Sequence, residues 1–60
     1  MPHRTVDAIR RRVWFSISPQ TAAMAGDGMT LANLQQFIAG KFVPSDAQLI
    51  RLASYLGVPR

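Results

Sequence analysis

Sixty residues allow one small domain, since domains cluster near ~100–150 residues and a chain this short buries only ~60% of its unfolded surface. Seven Lys and Arg against three Asp and no Glu leave a net charge of +4, which points to an anionic partner such as nucleic acid and leaves little for acid–base catalysis. Cys is absent, which excludes disulfides and thiolate-bound zinc, so the 48% hydrophobic content has to supply stability through a packed core.

Punctuation and apolar spacing predict four short helices, at about 5–16, 19–25, 31–39 and 46–56, and no strand worth naming. In the first, Val6, Ile9 and Val13 stand at i, i+3 and i+7, one face of a helix. Thr5 is its expected cap, and Trp14, Phe15 and Ile17 extend the apolar surface. Arg4 and the run Arg10-Arg11-Arg12 resemble an organelle presequence, but Asp7 interrupts it and a native helix is the better reading. Three consecutive helical residues span ~200° of the wheel, so the arginine run cannot point one way. It reads first as a solvated face, with one or two members reaching an anion. His3 and Asp7, four residues apart, are placed to pair across a turn at the surface.

Ser18-Pro19 reads as an N-cap with Pro at the first helical position. Gly26-Asp27-Gly28 then forces a turn. Thr30 caps a third helix whose inward face is Leu34, Phe37 and Ile38, with Gly40 as the residue that ends it. Ser45 and Gln48 fit a capping box for the fourth helix, with Asp46 in its first turn. Leu49, Leu52, Ala53 and Leu56 follow at core spacing, and Gly57 stops the helix. Phe37, Phe42, Tyr55, Trp14 and Phe15 are all expected as core or satellite packing. The fold class is all-α, a compact bundle of four or five short helices forming a single domain over 1–60. No apolar run approaches the ~20 residues of a membrane helix, so a cytoplasmic protein is expected.

From Gln20 to Val58 the chain resembles the phage-repressor/Cro-like helix-turn-helix family, lambda-repressor-like in fold. The resemblance rests on Gln20-Thr21 opening the second helix, Gly28-Met29-Thr30 at the turn, and Leu34 and Phe37 facing inward. Gly40-Lys41, Pro44-Ser45, and Leu49, Leu52-Ala53 and Leu56-Gly57-Val58 continue it. Two positions depart from the family pattern. Met24 stands where a small Ala is usual, and Asp27 where an apolar residue precedes the turn Gly. Either Ala23 becomes the small contact while Gly26-Asp27-Gly28 bulges, or a wider helix crossing accommodates Met24.

The resemblance implies double-stranded DNA as partner and a prokaryotic or phage transcriptional regulator as function, acting at the nucleoid without catalysis, cofactor, metal or small-molecule substrate. The third helix would enter the major groove, with Leu31, Ala32, Gln35 and Gln36, and at the margin Ala39, reading bases. Gln amides bridge adenine N6 and N7, apolar groups rest on the thymine methyl, and the absence of Arg and Lys from this helix suits A·T steps. Gln20, Thr21, Thr30 and Lys41 would contact phosphates. Within the family a homodimer is common, and Ile50 and Tyr55 on the exposed side of the fourth helix are candidates for it, unless the chain is a fragment. The rival reading on the same scaffold is a protein-interaction module such as an antitoxin.

Overall fold

The computed structural model describes residues 1–59. Four helices follow in order, α1 (His3–Phe15), α2 (Pro19–Ala25), α3 (Leu31–Ile38) and α4 (Asp46–Leu56), with no strand among the described residues. α1 and α2 each pack against both α3 and α4.

Local signals set most of the boundaries. The Ser18 side chain accepts from the Thr21 N–H at 3.2 Å and Pro19 occupies the first turn of α2. In α4, Ser45 Oγ accepts from Gln48 N–H at 3.3 Å while Gln48 Oε1 accepts from Ser45 N–H at 3.0 Å, a closed capping box. Gly57 turns left-handed at φ 75 and the Val58 N–H reaches back to the Ala53 carbonyl at 2.9 Å, which buries Val58 against the core.

The start of α1 departs from expectation. Thr5 does not cap it; the helix begins at His3, and Pro2 holds the cap position in extended backbone without a side-chain bond. The ring of Pro2 already holds φ at −60, and the Val6 N–H closes onto the Pro2 carbonyl at 3.1 Å, so the first turn forms ahead of Thr5.

The apolar stripes meet as their spacing predicts. Ile9 and Val13 from α1, Leu34 and Phe37 from α3, and Leu49, Leu52, Ala53 and Leu56 from α4 form one buried cluster, with Val6, Ile38 and Phe42 packed at its edge. Each large apolar side chain buried there contributes about 1.5–3 kcal/mol. Ala22, Ala25 and Met29 complete the cluster. Three aromatics predicted as core or satellite packing lie outside: Trp14 is 60% exposed, Phe15 81% and Tyr55 39%. The reason is angular. Trp14 and Phe15 follow Val13 by ~100° and ~200° around the helix, which turns them off the Ile9/Val13 stripe.

The turn between α2 and α3 resolves the irregular positions. Met29 N–H donates to the Gly26 carbonyl at 3.1 Å, with Asp27 at φ 54 and Gly28 at φ 74 between them. Positive φ at both central residues is the pattern of a type I′ turn, for which Asp-Gly is a preferred pair. Asp27 therefore serves the turn and not the core. Neither explanation offered for Met24 holds in full. Ala23 is exposed, and the small residues against the core are Ala22 and Ala25. Met24 points outward, 46% exposed, beside Ile50 and Tyr55.

Candidate nucleic-acid interface

α3 is secured at both ends. At its start Thr30 Oγ1 accepts from Asn33 N–H at 3.1 Å, and Asn33 Oδ1 accepts from Thr30 N–H at 3.2 Å. At its end Gly40 takes φ 79, with Gly40 N–H to the Phe37 carbonyl at 3.1 Å and Lys41 N–H to the Gln36 carbonyl at 2.9 Å. This pair of bonds is a Schellman closure, and it fixes the direction in which the chain leaves toward Lys41. A further hold comes from α1. Arg10 Nε donates to the Phe37 carbonyl at 3.0 Å, its guanidinium lies 5.0 Å from the Phe37 ring centroid, and Asp7 accepts from the same guanidinium at 2.6 Å.

With Leu34 and Phe37 fully buried, Ala32, Gln35, Gln36 and Ala39 face outward and exposed. Leu31 is partly buried and offers that face less of its side chain. The outward face of α3 carries no charged residue. Gln35 stands beside Trp14 and Ile17 across an open hollow of about 540 Å³ that Ile38 and Ala39 complete.

The proposed phosphate contacts separate into two kinds. Gln20 and Lys41 are exposed. Thr21 is withdrawn from that role: it is 1% exposed, and its hydroxyl donates to the Ser16 carbonyl at 2.5 Å. With that proton committed, Thr21 Oγ1 accepts from Ser18, 3.1 Å away, so the side chain ties α2 to the end of α1. Thr30 is exposed, but its hydroxyl donates to Asn33 Oδ1 at 2.8 Å and is occupied with starting the helix. Phosphate donation by Thr30 would have to break that bond. The Thr30-x-x-Asn33 spacing was the signal that could have exposed this competition.

Much of the positive charge is spent on structure. Arg10 reaches the end of α3, Arg12 donates to the Leu56 carbonyl at the end of α4 at 3.1 Å, and Arg51 to the Ala25 carbonyl at the end of α2 at 3.5 Å. Each guanidinium sits at the negative pole of a helix other than its own. Gln48 adds a bond from Nε2 to the Gly26 carbonyl at 3.3 Å. Arg4, Arg11 and Lys41 are exposed. Each aspartate stands near a cation: Asp7 with Arg10, Asp27 with Arg51 at 3.9 Å, and Asp46 with the amino terminus at 3.7 Å; the His3 ring lies 3.5 Å from Asp7.

Among the described residues no buried side-chain polar atom lacks a partner, no group of three His, Cys, Asp or Glu is gathered, and no helix is long and apolar enough to cross a membrane. Comparison with protein-family models, curated proteins and solved structures finds no match.

Proposed function

We propose that this chain binds double-stranded DNA as a helix-turn-helix domain of the phage-repressor/Cro-like kind, acting as a prokaryotic or phage transcriptional regulator at the nucleoid. The observation that carries the reading is the outward face of α3. It is uncharged and lined by small and amide side chains, and it sits on a helix fastened at both ends. Such a face fits the floor of a major groove, where Gln36 and Ala32 meet base edges and Gln35 and Leu31 lie toward a wall. Lys41, just beyond the helix, and Gln20, at the start of α2, meet the phosphate strands.

The test is a titration of random-sequence duplex against the protein at stepped salt. Duplex binding requires log K to fall linearly with log[salt], by about 0.9 for each phosphate neutralised. Absence of duplex binding at low salt overturns the reading. A second reading, the protein-interaction module, draws on the apolar hollow of about 390 Å³ between α2 and α4, where Met24, Ile50 and Tyr55 are exposed. The same surface would serve a homodimer. Sedimentation with and without duplex separates self-association from a foreign protein partner.

A further inference from the structure

The hollow between the end of α1 and the outward side of α3 lies at the rim of the core, where only Ile38 of its lining packs against the buried cluster. Trp14 and Ile17 form one wall, and Gln35, Ile38 and Ala39 the other. The fold does not require an indole there, since Val13 already closes the core at 0% exposure. Leaving a ring 60% exposed forgoes burial that an occupant would restore.

The occupant is indicated by what surrounds the hollow. Gln35 and Ala39 belong both to it and to the outward face of α3, so a body resting along that face reaches the hollow that Trp14 walls. No carboxylate lines it, and all three aspartates stand near cations elsewhere. Lys41 follows Ala39 by two residues and puts positive charge at the same end of α3. A second copy of the chain fits poorly. It carries the same +4 charge, and a standard interface of about 800 Å² per partner would take roughly a fifth of the 3806 Å² surface, far more than this hollow. A ligand with apolar ring faces and a line of negative charge fits both features, and the sugar–phosphate edge of a duplex has both.

We infer that Trp14 lies against the sugar–phosphate backbone of duplex DNA held along α3, its ring on a deoxyribose and its indole N–H donating to a phosphate oxygen. The inference rests on the DNA-binding reading and assigns it a contact outside α2 and α3. Ile17 supports the ring from the same wall, and Gln35 lies between the backbone and the groove floor.

Trp14 is the single tryptophan, so intrinsic fluorescence reports this site alone. Acrylamide quenching is measured on the whole chain with and without a random-sequence duplex about two helical turns long, while anisotropy of an end label on the duplex follows binding independently. With duplex bound, the quenching constant should fall about twofold or more as the ring is covered. Trp14→Ala should weaken binding roughly three- to tenfold while leaving the salt slope unchanged, because no charge is removed. Trp14→Phe should recover part of that loss. Duplex bound with Trp14 quenching unchanged overturns the inference and leaves DNA binding standing. Absence of duplex binding at low salt overturns both.

Discussion

The adjacent arginines 10, 11 and 12 offer a sharp test of how the charge is used. Each is replaced in turn by Met, which keeps an apolar stem and removes the guanidinium. Arg10 is 26% exposed and loses most: a charged bond to the Phe37 carbonyl at 3.0 Å, the contact with the Phe37 ring, and the pair with Asp7. Those contribute about 1–2, 0.5–1 and 0.3–0.5 kcal/mol respectively after allowance for partial exposure. The Phe37 carbonyl keeps the Gly40 N–H, so no orphan acceptor adds to the cost. Arg10→Met should therefore destabilise by about 2–3 kcal/mol. Arg12→Met loses one bond to the Leu56 carbonyl from an exposed side chain and should cost about 0.5–1.5 kcal/mol. Arg11 is exposed, and its replacement should stay within about 0.5 kcal/mol. Relief of net-charge repulsion is nearly common to all three and drops out of the comparison. A domain of this size holds about 3–9 kcal/mol in all, and each kcal/mol moves its melting point by about 4–8 °C. Helical circular dichroism followed through thermal and urea unfolding reads the order. Equal losses for Arg10→Met and Arg11→Met would refute the assignment of Arg10 to the end of α3.

The turn offers a paired control: Gly26 stands at φ 70 and ψ −171, a region open essentially to glycine alone, and an added Cβ would also push aside the flexible end of Arg51, whereas Gly28 at φ 74 faces open space. Gly26→Ala should cost about 3 kcal/mol, most of it backbone strain, and Gly28→Ala about 1 kcal/mol, and equal urea midpoints would refute the strain assigned to Gly26. Leu52→Ala, at a site with 0% exposure, should destabilise by about 2–5 kcal/mol; a loss under half a kcal/mol would place the α4 face wrongly. Gln36→Ala should cost about 1–3 kcal/mol on a cognate site and relax one base pair, with Gln35→Ala costing less, and site selection from a random library would expose the reverse order. Lys41→Ala should weaken all duplexes alike and flatten the salt slope by roughly one unit, so a sequence-selective loss would make it a base reader.

The sequence by itself determined where the helices run, apart from the start of α1, and which stripe of α1, α3 and α4 turns inward. Those properties depend on neighbours within a turn or two: Ser18 before Pro19, Ser45 with Gln48, Gly40 after Ala39, and leucines at helical spacing in α4 all act over distances the chain itself specifies. Tertiary structure decided what the polar and aromatic side chains are for. Arg10, Arg11 and Arg12 are chemically alike, and only the placement of α3 and α4 brings carbonyl ends within reach of the first and third. Thr21 looked like a phosphate donor until the end of α1 supplied the carbonyl that takes its proton. Trp14 looked like core until Val13 closed the core without it. Apolar spacing is periodic and therefore readable along the chain, whereas a long side chain finds its partner among groups that folding brings near, and no local pattern records which group that will be.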